Sequence, residues 1–115
     1  MTDRSLLAEY AFSSSEKAFA KLVERHAGMV YSTCLRVIGS PGSAEEATQA
    51  VFLILARKAR RLAAGGSLAG WLYTTAYRVA CRARRAEARR RRNEISRQFA
   101  DERVMVETSQ FAAVD

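Results

Sequence analysis

Residues that carry enzymatic or metal chemistry are scarce in this sequence. It has one histidine, His26, and two cysteines, Cys34 and Cys81, which lie far apart and outside any CxxC spacing. This excludes a disulfide framework and a typical zinc site, so the thiols are expected to be small packing residues in a reducing cytoplasm. His26 falls on an apolar helical phase and is expected to be structural. Because no nucleophile and base converge at a catalytic spacing, we expect neither an enzyme nor a cofactor or metal site.

Helix-breaking residues and long apolar runs are also few. The chain has one proline, Pro41, and six glycines among 115 residues, whereas alanine, arginine and leucine, which favour helix, dominate. The composition predicts an all-α fold: a compact bundle of three to four helices with a long basic C-terminal helix. No apolar stretch reaches the ~20 residues needed to cross a bilayer, and no signal-peptide pattern opens the chain. A cytoplasmic protein without membrane insertion is therefore expected.

Positive charge is concentrated in one block. The net charge is +7, yet residues 57–92 hold 12 basic side chains and only 1 acidic one. A block of this density suggests a polyanionic partner, with nucleic acid ahead of an anionic membrane surface. The stretch Arg84–Arg92 lacks the Trp, Phe or Leu face that interfacial insertion requires. A merely solvated helix face is the alternative that the pattern leaves open.

The chain is expected to hold one domain between two less ordered ends. Residues 1–14 look like a loosely held, flexible lead-in. Residues 15–95 carry the apolar spacing of successive helices, with Gly28 marking a kink or short break in the first. Residues 96–115 are expected to be a helical or disordered tail.

Two turns separate the predicted helices. The turn GSPGS precedes a central helix from about Ala44 to Leu62, with Ser43 as its cap. The turn AAGGS, at residues 63–67, precedes a fourth helix with Ser67 as its cap. The apolar positions of this fourth helix lie on one face, and polar and aromatic residues lie on the other.

The fourth helix begins apolar and aromatic and ends as a basic ridge. Arginines on such a ridge bind phosphates without reading sequence. Tyr73, Thr74, Tyr77 and the turn before them lie just ahead of the ridge. Tyrosines beside a basic track can stack on single-stranded bases, and a glycine-rich turn lets backbone approach an extruded base closely. The pattern favours single-stranded or melting DNA.

Four stretches, in order along residues 15–95, carry a resemblance to a known family. They are FAKLVERHAGMVYSTCLRVIGS, SAEEATQAVFLILARKARRL, LAGWLYTTAYRVA and the arginine run behind the last. The second is similar to an Asp-Ala-Glu-Asp-x-x-Gln-Glu-x-Phe helix, and the third to a Trp-Leu-Tyr-x-x-Ala-x-Asn pattern. Together they resemble region 2 of the bacterial sigma-70 superfamily, and most nearly its extracytoplasmic-function (ECF) group.

The resemblance implies a transcription initiation factor with two binding surfaces and no cofactor. The central helix would dock on the clamp coiled coil of the RNA polymerase largest subunit, through Glu46, Gln49, Leu53 and Arg57. The turn and the fourth helix would recognise and melt the promoter −10 element and capture a flipped base of the non-template strand. The implied DNA-binding residues are Gly65, Gly66, Ser67, Tyr73, Thr74, Tyr77, Arg78, Cys81, Arg82 and Arg85. An anti-sigma factor is a further candidate partner.

The chain departs from the family pattern at three points. Ala50 stands where the family usually has an acid, and Tyr77-Arg78 stands where many members have Arg-Asn, so the preferred −10 bases do not carry over. The second domain that reads the −35 element is not in the 115 residues, so the chain is expected to be a fragment or a protein that has lost that capacity. Two alternatives stay open: a module that binds polymerase or an anti-sigma factor without promoter recognition, and nonspecific nucleic-acid binding.

Overall fold

Four helices make up the described part of the chain. The structure is a computed structural model that describes the backbone of residues 1–114 and the side chains of residues 1–103. The helices are α1 (Asp3–Ser13), α2 (Glu16–Ile38), α3 (Pro41–Ala63) and α4 (Leu68–Val114). Because residues 1–114 contain no strand, the predicted all-α fold with a long basic last helix is confirmed.

Residues 1–14 hold helix α1 in place of the flexible lead-in that the sequence predicts. Thr2 caps this helix, because its Oγ1 accepts a hydrogen bond from the Ser5 N–H at 3.1 Å. Leu6 and Leu7 are both buried, each with 1% of its surface exposed. Burial of a leucine stabilises the fold by about 1.5–3 kcal/mol relative to exposure, which offsets the entropy lost when this segment is ordered.

Helix α2 continues through Gly28, where the sequence predicts a kink or a short break. A glycine inside a helix costs about 1 kcal/mol relative to alanine. Leu22 and Val30, on either side of Gly28, are fully buried, and their burial outweighs that cost. Ser15 caps the start of α2 by accepting a hydrogen bond from the Ala18 N–H at 3.2 Å.

Helix α3 begins at Pro41, three residues before the predicted start. The N-cap position belongs to Ser40, whose side chain makes no capping hydrogen bond, so the predicted cap at Ser43 is wrong. Proline is favoured at the first helical position because its ring presets φ and its missing N–H would have no partner within the helix. Ser43 consequently lies inside the first turn.

The core is formed by α1, α2, α3 and the first turns of α4. The three helices α1, α2 and α3 pack against one another in all pairs. Thr33 is a buried polar residue, and its hydroxyl donates a hydrogen bond to the Met29 carbonyl at 2.9 Å, which satisfies it. The fully buried side chains include Leu6, Leu7, Leu22, Val30, Cys34, Val51, Leu55, Leu72, Ala76 and Ala80.

The chain forms two units, Met1–Arg84 and Arg85–Asp115, and α4 runs from the first into the second. Among the residues whose side chains the structure describes, every buried core residue lies in the first unit. In the second unit, the side chains of residues 88–103 are all exposed. The predicted tail over residues 96–115 is helical as far as Val114, and Asp115 lies outside the described residues. Within the described part of the chain, no helix combines the length and apolarity that a membrane crossing requires.

Candidate nucleic-acid and polymerase interfaces

A loop of four residues, 64–67, joins α3 to α4, and we call it the glycine loop. The Gly65 N–H donates a hydrogen bond to the Leu62 carbonyl at 3.3 Å, which tightens the end of α3 into the loop. Gly66 has a φ of +94°, in the left-handed region where any other residue is strained. All four residues are exposed, so the loop lies at the surface of the first unit.

Ser67 starts α4 as the sequence predicts. Its Oγ accepts a hydrogen bond from the Gly70 N–H at 3.1 Å, which satisfies one of the donors that a helix start leaves without a partner. From this cap, α4 turns one face into the core. The buried side chains of that face are Leu68, Leu72, Ala76 and Ala80.

The opposite side of α4 presents the predicted DNA-binding side chains to solvent. Tyr73 and Tyr77 are 49% and 51% exposed, and they lie one helical turn apart. Cys81 is only half-buried. The other exposed side chains of this side in the first unit are Thr74, Arg78 and Arg82. These five exposed residues form what we call the outer face of α4.

Arg85, the last of the predicted DNA-binding residues, belongs to the second unit. It is exposed, as are Arg89, Arg90, Arg91 and Arg92 in the same unit. This unit therefore carries its own dense positive surface, which suits binding to phosphates.

A groove with a volume of about 240 Å³ lies between α3 and α4 within the first unit. Its lining contains four cationic side chains, two from each helix, and no acidic one. A groove with this lining suits an anionic ligand. The lining residues are Lys58 and Arg61 of α3, Arg78 and Arg82 of α4, and Ile54, Trp71, Thr75 and Val79. We call this the basic groove.

Sequence reasoning missed Lys58, Arg61 and Trp71 as candidate ligand contacts. Lys58 and Arg61 lie in the last turns of α3, where basic side chains also balance the helix dipole, so their spacing alone does not favour one role. Trp71 falls near the buried phase of α4 and is half-buried. Only the packing of α3 beside α4 brings these three residues to the same groove as Arg78 and Arg82.

The predicted polymerase-binding residues share one exposed side of α3. Glu46, Gln49, Leu53 and Arg57 are spaced by three or four residues and are all exposed, so they lie along one stripe of the helix. Leu53 is 63% exposed. A single exposed leucine is ordinary, and it suggests a partner only where it continues into a larger apolar surface.

An apolar surface does adjoin Leu53. A groove of about 410 Å³ between α2 and α3 is lined by Leu53 and Gln49 together with Phe19, Val23, Ala27, Thr48, Phe52 and Ala56. We call it the apolar groove. Arg57 lies one turn beyond it and lines a different, more polar pocket beside Glu16. The structure therefore brings Gln49 and Leu53 to one groove and leaves Arg57 at its margin.

His26 ties α1 to α2. Its Nε2 lies 2.9 Å from Asp3 Oδ2, and the His26 side chain is 13% exposed. The Arg25 Nη1 donates to the other oxygen of the same carboxylate at 3.1 Å. These contacts agree with a structural role for the histidine.

The two thiols are both free and lie in different surroundings. Cys34 is fully buried, and its Sγ lies 3.9 Å from the Ala76 carbonyl oxygen. Burial raises the pKa of the Cys34 thiol, and a hydrogen bond with Thr48 opposes that shift. Among the residues that the structure describes, no three His, Cys, Asp or Glu side chains group closely enough to hold a metal ion.

Comparison with known proteins gives one family. Residues 22–90 match the family model described as Sigma-70 region 2. Proteins from Mycobacterium sp. strains KMS and JLS, both named "ECF RNA polymerase sigma factor SigK", are each 37% identical to this chain over 80 residues. A protein from strain MCS, named "RNA polymerase sigma factor SigK", shows the same identity over the same length. The match covers 69% of this chain and 42% of each relative, so the chain spans less than half the length of these relatives.

Proposed function

Because the chain belongs to the sigma-70 region 2 family and is similar to ECF sigma factors, we propose that it is the part of an RNA polymerase sigma factor that recognises and melts the promoter −10 element. In this proposal, the glycine loop and the outer face of α4 hold the non-template strand. The exposed stripe of α3 docks on the clamp coiled coil of the polymerase largest subunit.

The observation that carries the DNA half is that α4 exposes both cations and tyrosines. Arg78 and Arg82 line the basic groove, and the rings of Tyr73 and Tyr77 are exposed on the other flank of the outer face, because successive residues of a helix point about 100° apart. Phosphate contacts fix the register of the strand. Stacking on an aromatic ring contributes about 1–3 kcal/mol per unpaired base, and this second interaction is available only to a strand that has left the duplex.

The glycine loop suits a base that has left the stack. Extruding a base costs a few kcal/mol, and the partner must replace the stacking and hydrogen bonds of the duplex. Gly66 has no side chain, and no neighbouring atom lies within 4 Å of where one would be, so a base edge can approach its backbone groups closely. Since α4 starts directly after Ser67, the loop leads straight into the outer face that would bind the flanking nucleotides.

Support for the polymerase half comes from Leu53 and the apolar groove. An exposed leucine beside a groove lined by Phe19 and Phe52 is typical of a surface that a partner helix covers. Glu46 and Arg57, one turn or two to either side of Leu53, supply charges of opposite sign at the rim. Such rim charges set orientation and association rate more than affinity.

Selection from a random oligonucleotide pool tests the DNA half. The chain is incubated with single-stranded DNA that carries a random stretch of about eight nucleotides, the scale of one single-strand binding site, between fixed flanks, and the bound fraction is sequenced. We expect one short motif to be enriched and to bind more tightly than its scrambled version in fluorescence anisotropy. Equal affinity for the selected and scrambled strands would overturn sequence-specific capture.

Two substitutions at Tyr77 then test the role of the outer face. Tyr77→Ala should weaken binding of the selected strand about 5- to 150-fold, because that range corresponds to the ~1–3 kcal/mol that a base stack contributes. Tyr77→Phe is the matched control and should retain most of the affinity, because the ring remains. Unchanged binding by Tyr77→Ala would exclude this tyrosine as a stacking platform.

A second candidate function is a protein-interaction module without promoter contact, and the apolar groove favours it specifically. In that case the selected strand and its scrambled version bind equally, while a clamp coiled-coil fragment still binds the chain. Leu53→Ala should then abolish clamp binding, and Glu45→Ala, which alters an exposed residue one position outside the stripe, should not.

A further inference from the structure

The first helix reaches the glycine loop through one side chain. Arg4 of α1 donates a hydrogen bond from Nη2 to the Ala64 carbonyl at 2.7 Å, and a longer one from Nε to the Ala63 carbonyl at 3.4 Å. These carbonyls stand where α3 ends and the loop starts. A segment of α1 therefore contacts a loop that is distant from it in the sequence.

The end of α3 needs such a partner because it lacks the usual closing motif. At the end of α2, Gly39 adopts a left-handed conformation, with φ +84°, and its N–H bonds back to Leu35. At the end of α3, Ala64 stays right-handed, with φ −69° and ψ −21°. The last carbonyls of a helix have no partner within the helix, and a cation near them is also favoured by the helix dipole.

The guanidinium of Arg4 also lies against the backbone of the loop. A Cβ atom placed on Gly65 would be 3.0 Å from the Arg4 Nη2, a separation at which the guanidinium would have to give by a few tenths of an ångström. The absence of a side chain at residue 65 therefore leaves the space that the guanidinium uses. Arg4 and Gly65 fit together as a pair.

Arg4 is itself held in position by its neighbours in α1. On one side, Asp3 accepts a hydrogen bond from Arg25 at 3.1 Å and lies 2.9 Å from His26 Nε2. On the other side, Leu6 and Leu7 are buried in the core. Because α1 is fixed at Asp3 and at the two leucines, the Arg4 side chain holds the loop at a fixed place relative to α1.

We propose that Arg4 is a positioning residue for base capture, which holds the glycine loop in the shape that receives an unpaired base. This inference rests on the proposed −10 recognition. Arg4 acts through the Ala63 and Ala64 carbonyls and needs no contact with the base. Without it, the loop keeps only its own short-range hydrogen bonds and samples other shapes, so part of the binding free energy is spent on ordering it.

The test compares Arg4→Ala, Arg4→Lys and Arg25→Ala in the full chain. Arg25→Ala is the matched control, because it removes an arginine that bonds to Asp3 and to the Met1 carbonyl but does not touch the loop. Three readouts are measured: affinity for the selected strand, the ratio of that affinity to the affinity for a strand with an abasic site at the captured position, and amide hydrogen exchange of Gly65.

Arg4→Ala should lower affinity for the selected strand about 5- to 10-fold, the scale of one ordinary net hydrogen bond. It should lower the preference over the abasic strand by a similar factor and speed exchange at Gly65, while the amides of Leu6 and Leu7 stay protected. Arg4→Lys, which keeps the charge and can still donate to one carbonyl, should recover part of the preference. Arg25→Ala should lower the preference much less than Arg4→Ala does, because His26 and the buried Leu6 and Leu7 still hold α1.

Suppose that the wild-type chain binds the selected strand selectively, and that Arg4→Ala changes neither this selectivity nor the exchange rate of the Gly65 amide. That result would overturn this inference and leave the proposed function standing. An equal loss of preference in Arg25→Ala would also overturn it, because the effect would then belong to α1 as a whole. A wild-type chain that prefers no sequence would overturn the proposed function and this inference with it.

Discussion

Burial sets the two thiols apart in chemistry. Cys34 lies in the core and its pKa is raised by desolvation, whereas Cys81 is half-buried on α4. The thiolate is the reactive form of cysteine, and a thiol that is both inaccessible and unfavourable to ionise reacts slowly.

Because the unfolded chain ionises Cys34 at a lower pH than the folded chain does, the free energy of unfolding should fall as the pH rises above the ordinary thiol pKa.

Maleimide labelling of the native chain at neutral pH should therefore modify Cys81 and leave Cys34 unmodified until denaturant is added. Mass spectrometry of the intact chain and of its peptides measures both rates. Cys81→Ser provides the control, since it should leave a native chain that does not label. Equal rates at the two thiols would contradict the burial of Cys34.

At the level of single residues, the sequence predicts the outer face of α4 better than it predicts the basic groove. The exposure of Tyr73, Tyr77 and Arg78 follows from helical spacing, because it depends only on the phase of one helix. The presence of Lys58 and Arg61 beside Arg78 depends on how α3 and α4 pack, and no pattern within either helix specifies that contact. The roles of all these residues in binding remain predictions.

Among the elements, α1 and the start of α3 are where sequence reasoning fails. The first twelve residues have two adjacent leucines and no sustained helical stripe, so they resemble a loose end. Their order comes from tertiary contacts: burial of Leu6 and Leu7 and the Asp3 contacts with Arg25 and His26. The local signal for this helix is the Thr2 cap. The residues behind the cap show too little helical periodicity for the sequence alone to predict a helix there.

Local signals predict the start of α4 correctly but not the path of α2 through Gly28 or the start of α3. Ser67 caps α4 as predicted, and Ser15 caps α2, because a serine side chain ahead of an apolar stripe satisfies helix donors directly. Gly28 does not interrupt α2, since a single glycine costs less than the burial around it supplies. Pro41 starts α3 ahead of Ser43, because proline starts a helix without losing a hydrogen bond.

In the second unit, α4 carries a run of four arginines, and these should contribute affinity without selectivity. Replacing Arg89, Arg90, Arg91 and Arg92 by glutamine should make the dependence of log affinity on log salt shallower by about 0.7 for each phosphate that is no longer neutralised. The preference for the selected strand over its scrambled version should not change, because phosphate contacts carry no sequence information. Anisotropy titrations at several salt concentrations measure both quantities.

Removing positive charge from a different helix is the control for the four arginine replacements in α4. Lys17→Gln with Lys21→Gln removes two exposed cations from α2, and the salt dependence should then stay as in the wild type. A salt dependence that is unaltered by the four arginine replacements would show that this part of α4 does not contact the strand.

Across the whole molecule, the two proposed interfaces use different sides of the first unit. The stripe with Glu46, Gln49 and Leu53 adjoins the groove between α2 and α3, whereas the basic groove lies between α3 and α4. Helix α3 thus contributes to both, through residues on different faces. In the proposed function this domain holds polymerase and promoter at once, and separate surfaces would allow both to bind.

Mapping both ligands on the same isotope-labelled chain by NMR tests this division most directly. Backbone amide shifts are followed during titration with the selected strand and, separately, with a clamp coiled-coil fragment. The strand should shift residues 64–82, and the clamp fragment should shift residues around Glu46, Gln49 and Leu53. Strand-induced shifts confined to the second unit, or the same set of shifts from both ligands, would contradict two separate surfaces.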